Sequence, residues 1–369
     1  MTNLTQKLSK QFFGPAMRVV TLALFLAVFG ASAALAQTRA YVTNVFDDTV
    51  SVIDPANDTV IATVTVGDEP TGLAVTPNGA FAYVPNAGSD NVSVISAATN
   101  TVVATVPVGL FPQGIAITPN GAFAYVINAS GSVSVINTAT DTVSATIPGI
   151  GSPFGIAITP SGDFAYVVSS SGNVTVIDIA TNTVAATLPI GGFLVGVGIT
   201  PNGAFAYVEN LTADNIAVIS TATNTVVTTI PAGDGPWGVA FTPNGAFAYV
   251  SILNSASVAV INTSTNTVVT TVPVGILPRG LAIDPTGTSV YVANDFSSTV
   301  SVINTATNTV VATIAVGDDP WAIAFPVSTQ GPANKDQCKN GGWQTFTNPS
   351  FKNQGQCIKF VNHMDEHDT

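Results

Sequence analysis

The sequence predicts an all-β fold, a seven-bladed β-propeller of four-stranded antiparallel blades, closed by its last inner strand pairing with the N-terminal strands. Three observations lead there. The stretch Thr76-Pro77-Asn78-Gly79-Ala80-Phe81-Ala82-Tyr83-Val84 recurs letter for letter at 118–126, 200–208 and 242–250, with looser copies at 159–167 and 284–292. The seven tyrosines, Tyr41, Tyr83, Tyr125, Tyr166, Tyr207, Tyr249 and Tyr291, follow one another at intervals of 42, 42, 41, 41, 42 and 42 residues. Each interval holds four β-type runs and no helical periodicity. Four strands per unit, seven times over, is the arithmetic of a propeller; a β-solenoid would repeat at roughly 20–30 residues.

Within a repeat, Pro-Asn-Gly supplies a turn with positive φ at glycine, and Ala80 to Val84 alternates small and large residues as a strand between packed sheets does. Val92-Ser93-Val94-Ile95 and Thr101 to Val106 are β-branched runs joined by a short Thr/Asn link, the signature of a hairpin. A Gly/Pro loop then leads to Gly114-Ile115-Ala116-Ile117-Thr118 and the next Pro-Asn-Gly. Tyr41-Val42-Thr43-Asn44, followed by the hairpin and the Pro-x-Gly-Ile-Ala-Ile-Thr-Pro-Asn-Gly consensus, resembles the YVTN-family β-propeller repeat of bacterial and archaeal surface proteins. The resemblance runs from about Arg39 to Phe325 and implies the fold, whereas one fold hosts many functions.

Four segments divide the chain. Residues 1–36 read as a signal peptide: Lys7, Lys10 and Arg18 precede an apolar stretch that ends in Ala34-Leu35-Ala36. The expected location is therefore outside the cytoplasm: secreted, periplasmic or at the cell surface, with no transmembrane segment in the mature chain. Residues 37–326 are the propeller, 327–337 a linker and 338–369 a small extension bounded by Cys338 and Cys357. Two cysteines in an exported chain are expected to pair with each other.

The propeller begins in mid-repeat. Its first strand matches the second strand of the unit and its last, Trp321 to Phe325, matches the first, so the two ends should complete one blade. Strand order also sorts the loops: near-uniform Pro-Asn-Gly and Thr-Asn turns share one face, and variable loops share the other. The variable face carries Asp47, Asp48, Asp90, Glu209, Asp214 and Asp295 in loops between second and third strands. Asp68, Glu69, Asp234, Asp318 and Asp319 sit in the loops between blades. A varied face on a rigid scaffold is where function is grafted.

Residues 37–326 hold 17 acids and two bases, Arg39 and Arg279, a formal charge of about −15. Such a surface excludes nucleic acid as a partner, because phosphate binding needs a basic face. Excess charge keeps an apolar exported protein in solution. Acid pairs, Asp47-Asp48 and Asp318-Asp319, offer hard oxygen ligands of the kind calcium takes, although the chain has no D-x-D-x-D loop. The two histidines, His363 and His367, lie beyond the repeats. A Ser-His-Asp triad, an H-E-x-x-H zinc site or a haem-attaching C-x-x-C-H therefore cannot be built inside the ring.

One position breaks the consensus. The residue inside each Pro-x-Gly or its counterpart (Leu194-Val195-Gly196 and Pro320-Trp321-Ala322), at the entry to the innermost strand, is Thr71, Gln113, Phe154, Val195, Trp237, Arg279 and Trp321. In a ring these seven gather at one mouth of the central channel, with Phe111, Phe193 and Leu277 in the loops before them. Phe154, Trp237, Arg279 and Trp321 would line an aromatic pocket with one cation and an acidic rim. Alternatively the aromatics plug the channel and Arg279 pairs with Asp318 or Asp319. The reading that follows is an exported, monomeric, non-enzymatic propeller, without an organic cofactor, binding a surface or extracellular protein or a glycan. Its competitor is a metal-dependent hydrolase resembling the seven-bladed lactonases.

Overall fold

The structure is a computed structural model that describes residues 39–326. The signal peptide, the linker and the Cys338–Cys357 pairing lie outside the described residues. No helix among them is long and apolar enough to cross a membrane.

Seven four-stranded antiparallel sheets follow one another along the chain. Blade 3 shows the pattern: an inner strand Pro112–Ile117, a second strand Phe123–Asn128, a third strand Ser132–Asn137 and an outer strand Thr142–Pro148. Blade 2 starts less regularly, with only Ala74–Val75 as ladder and an isolated bridge from Pro70 to Asn86. Pro85, which has no N–H to give, stands in the second strand between those two contacts. Blade 1 is assembled from both ends: Pro320–Ala324 pairs with Ala40–Asn44, in the register Tyr41 with Ala324, Val42 with Ile323 and Asn44 with Pro320. The ring is closed as the mid-repeat start of the sequence requires.

The alternation of the sequence decides what is buried. Apart from their end residues the second and third strands are buried, the outer strands are largely exposed, and every hydrophobic cluster joins residues of neighbouring blades. One cluster, for example, unites Tyr83, Val92 and Val94 of blade 2 with Ile115, Ala124, Val126 and Ile136 of blade 3.

The repeated tyrosine is the polar part of that interface. Its ring is buried and its hydroxyl donates to the Asn or Asp of the next blade's hairpin turn. Tyr83 reaches Asp141 at 2.6 Å, Tyr125 reaches Asn182 at 2.6 Å, Tyr166 reaches Asn224 at 2.6 Å and Tyr249 reaches Asn308 at 2.7 Å. Tyr207 reaches Asn266 at 2.5 Å, and Tyr291 crosses the seam to Asp58 at 2.7 Å. Tyr41 is the exception, because Arg39 Nη1 donates to Asn100 Oδ1 at 2.8 Å and leaves the Tyr41 hydroxyl buried without a partner.

Two outcomes test this architecture. Tyr83→Phe should lower stability by about 1 kcal/mol, the net worth of one such hydrogen bond, whereas Tyr41→Phe should leave it unchanged or raise it; urea unfolding of both proteins makes the comparison. Truncation after Pro320 removes the seam strand and should give an aggregating, protease-sensitive protein, while truncation after Thr329 should digest and melt like the longer chain.

Candidate functional site at the channel mouth

The variable residue of each Pro-x-Gly sits at the entry to an inner strand, and its backbone is held tightly. The following glycine lies against the carbonyl of the next blade's variable residue: a Cβ built at Gly72 would stand 2.2 Å from the Gln113 carbonyl oxygen, and one at Gly280 2.6 Å from that of Trp321. No side chain fits there, so glycine is required by close approach of backbone. The side chain of the variable residue is left free to face the mouth.

Phe154, Trp237, Arg279 and Trp321 do converge. Phe154 meets Trp237 edge to face with centroids 5.6 Å apart, Trp237 meets Trp321 in the same way at 5.6 Å, and Phe193 extends the row against Phe154 at 5.8 Å. Arg279 stands between the tryptophans, its guanidinium carbon 3.8 Å from the Trp321 centroid and 4.6 Å from that of Trp237. Each of these side chains is half-buried. The rings pack on one another, as a plug does, and at the same time hold the cation in the corner they form.

The acid that pairs with Arg279 is neither Asp318 nor Asp319. Arg279 Nε donates to Asp295 Oδ2 at 2.6 Å. Asp295 opens a single 3-10 turn, Asp295–Ser297, after the second strand of blade 7, which swings its carboxylate inward. Asp319 lies beside the pair with its backbone in the left-handed region, φ 54°, immediately before Pro320, an unfavourable conformation for a non-glycine residue. Burial raises the Asp319 pKa to about 7, reinforced by the hydrogen bond and charge of Asp295 and by Asp318, and opposed by Arg279. Asp295 and Asp319 thus form a carboxyl pair that favours holding one proton. On the far side of the mouth, Thr71 Oγ1 donates to the Gln113 carbonyl at 3.1 Å, while Gln113 Oε1 is buried without a donor. Val195 is buried.

The other acids of this face bracket the loops. Asp48 Oδ1 accepts the N–H of Glu69 at 2.9 Å, Asp90 that of Phe111 at 2.8 Å and Asp214 that of Gly235 at 3.0 Å, each 21 residues further along the chain. Asp47 Oδ2 accepts the N–H of Asp318 at 2.8 Å, and Asp318 Oδ1 accepts from Ser298 Oγ at 3.0 Å. Asp47 and Asp48 therefore serve different loops, and among the described residues no three His, Cys, Asp or Glu side chains are grouped to hold a metal ion.

One acid is displaced from its expected place. Glu209 is not on a loop: it belongs to the second strand Phe205–Asn210 and is completely buried. Tyr207-Val208-Glu209-Asn210 occupies the register of Tyr41-Val42-Thr43-Asn44, and that match was the available signal.

Comparison with known proteins agrees with this architecture. The profile of the YNCE-like beta-propeller family matches residues 13–130, and that of the cytochrome D1 heme domain matches residues 117–238. The chain is a seven-bladed β-propeller, and its repeats fit the YVTN type. Among solved structures it is similar to hydrazine synthase of Kuenenia stuttgartiensis, at 27% identity and TM-score 0.68 over 72% of this chain and 92% of that one. A functionally unknown protein of Desulfotomaculum acetoxidans matches at 20% identity and TM-score 0.70 over 78% and 98%. A candidate 6-phosphogluconolactonase of Bacteroides uniformis matches at 19% identity and TM-score 0.67 over 78% and 99%. No curated protein sequence matches the chain.

The titration of Asp319 gives a direct check. A carboxyl whose pKa is raised on folding stabilises the protein below its unfolded value of about 4, and that contribution is lost as the pH rises toward 7. The parent propeller should therefore lose stability relative to Asp319→Asn across that range. Its tryptophan emission should also titrate near pH 7, and that of the variant should stay flat.

Proposed function

We propose that this propeller is an exported, non-enzymatic binding protein whose channel mouth takes an anionic ligand with an apolar or aromatic body. The observation that carries the reading is the state of Arg279. Its guanidinium packs against the rings of Trp237 and Trp321 and its Nε is bonded to Asp295. Among the described residues its terminal amino groups have no hydrogen-bond acceptor, although the guanidinium is held rigid. A guanidinium fixed in this way presents its remaining N–H groups as a planar fork, a geometry matched to carboxylate or phosphate. The half-buried rings of Phe154, Trp237 and Trp321 would carry the ligand's apolar part. The buried, unpartnered Gln113 Oε1 would accept one donor from it.

Asp295 neutralises the arginine, so the charge of the mouth is set by Asp319. Protonated, Asp319 leaves an arginine–carboxylate pair of zero net charge; ionised, it repels an anion. Binding of an anion should therefore weaken as the pH rises through about 7. Calcium at the candidate pairs would have to draw on Asp47, Asp48 and Asp318, which already accept loop N–H groups, so the binding reading does not include it. The hydrolase alternative draws only on likeness of fold to the candidate 6-phosphogluconolactonase, at 19% identity.

Titration of the mature protein at pH 6 with benzoate and phenyl phosphate, followed by tryptophan emission, tests the reading. Saturable quenching is expected, with at least tenfold weaker binding to Arg279→Ala, partial recovery in Arg279→Lys and a weaker response at pH 8. Absence of saturation, or an unchanged affinity in Arg279→Ala, rejects it. Turnover of lactones or esters that depends on added divalent metal would favour the hydrolase.

A further inference from the structure

Among the described residues Glu209 is the one acid whose carboxyl oxygens are both buried and both without a hydrogen-bond partner. The repeat itself shows what a polar group does at its position, two residues after the tyrosine of the second strand. In blade 1 the residue there is Thr43, whose Oγ1 accepts the N–H of Ala322 at 3.0 Å and donates to the Thr71 carbonyl at 3.4 Å. In blade 6 it is Ser251, whose Oγ accepts the N–H of Gly238 at 3.0 Å and donates to the Arg279 carbonyl at 2.5 Å. Both hydroxyls thus link the inner strand of their own blade to the carbonyl of the next blade's variable residue. Blades 3 and 4 have Ile127 and Val168 at this position and make no such link.

The equivalent target for Glu209 is the carbonyl of Trp237. Glu209 is paired in register with Gly196, as the repeat demands. A Cβ built at Gly196 would stand 2.4 Å from the Trp237 carbonyl oxygen and 2.6 Å from Glu209 Oε2, so these two oxygens face the same side of Gly196 and are no more than 5.0 Å apart. A carboxylate and a carbonyl are both acceptors and repel each other. A carboxylic acid, in contrast, carries a donor and can do what the serine and threonine do.

We propose that Glu209 is a neutral carboxylic acid that donates its proton to the main-chain carbonyl of Trp237, and so acts as a positioning residue for the tryptophan at the channel mouth. The strands packed around it, Leu194–Ile199, Asn215–Ser220 and Pro236–Phe241, carry no titratable side chain. The charged group reached through Trp237 is Arg279, on the far side of the indole. Only the backbone N–H of Glu209 itself favours an ionised form, and burial outweighs it and holds the pKa well above the usual carboxylate range. The proposal does not rest on the identity of any ligand.

The test compares the mature full-length protein with Glu209→Gln and Glu209→Leu by urea unfolding between pH 4.5 and 8. In the unfolded chain Glu209 loses its proton near pH 4.3, while in the native state it keeps it. The parent's folding equilibrium should thus fall about tenfold per pH unit relative to Glu209→Gln, until the native carboxyl ionises. Near pH 4.5 parent and Glu209→Gln should have the same stability, because the amide supplies the same donor. Glu209→Leu fills the volume without a donor, and should be less stable than Glu209→Gln at every pH and shift the tryptophan emission. A carboxylic-acid C=O stretch at neutral pH in the infrared, missing from Glu209→Gln, should identify the proton directly. A parent-to-Gln difference that does not change with pH overturns the neutral acid, and a Leu variant indistinguishable from the Gln variant overturns the hydrogen bond to Trp237.

Discussion

The hydrogen bond that six of the seven second-strand tyrosines make to the hairpin turn of the next blade sets how the blades stand to one another. Tyrosine suits the place because it buries a large apolar body between two sheets and still carries a polar tip to the far side. Its acceptor is equally determined. Asp141, Asn182, Asn224, Asn266, Asn308 and Asp58 all sit at turn positions with φ near +50°, where Asn and Asp are tolerated better than other side chains. One residue thus makes the turn and receives the bond. At about 1 kcal/mol each, these bonds are small beside the burial of Val and Ile between blades, which contributes roughly 1.5–3 kcal/mol per side chain. Their value is in direction: apolar contact is indifferent to a slide of one blade over the next, and a 2.6 Å hydroxyl contact is not.

The same repetition makes each blade a control for the other six. A position that is hydroxyl in blades 1 and 6, apolar in blades 3 and 4 and carboxyl in blade 5 defines a role by comparison, without reference to any other protein. The channel mouth is uneven in the same sense. Its aromatic rings come from blades 4, 6 and 1, its cation from blade 7, and its carboxyl pair from the loops of blade 7 and of the seam into blade 1. Blades 2 and 3 contribute Thr71 and Gln113, which interact through a hydroxyl and a carbonyl. An otherwise uniform ring has been made asymmetric at one end of its channel.

How much of this could be read in the chain depended on the range of the interaction. Strand count, blade number and seam follow from spacing alone, and so does the gathering of the Pro-x-Gly residues, because a period converts directly into geometry. Pairings between loops do not. Arg279 had Asp295, Asp318 and Asp319 within reach, and the single 3-10 turn that brings Asp295 inward leaves no mark in the repeat pattern. Asp48, read as a possible ligand, and Asp90 and Asp214, read as part of the acidic face, each meet a backbone N–H 21 residues on, a fixed spacing that was legible in hindsight. Glu209 was misplaced for a different reason: its charge suggested a loop, while its distance from Tyr207 put it in a strand, and register was the stronger physical constraint.

The variable residue of Pro-x-Gly explains why function could be added here without disturbing the fold. Its carbonyl belongs to the scaffold, lying against the glycine of the preceding blade so closely that Gly155, Gly196 and Gly238 would each bring a Cβ within 2.4–3.1 Å of it. Its side chain belongs to the mouth. The seven blades can therefore carry Thr, Gln, Phe, Val, Trp, Arg and Trp at that place while six of the seven keep the glycine that follows. Blade 1 has Ala322 instead, and there Thr43 takes both the Ala322 N–H and the Thr71 carbonyl. Where the backbone contact alone holds the interface, the side chain is free to vary; where a hydroxyl or a carboxylic acid is inserted, the carbonyl it grips becomes the more firmly placed one. Of the seven carbonyls, those of Thr71 and Arg279 are gripped by a hydroxyl in this way and that of Trp237 is the one the proposed neutral Glu209 would grip, and Arg279 and Trp237 pack on each other at the mouth.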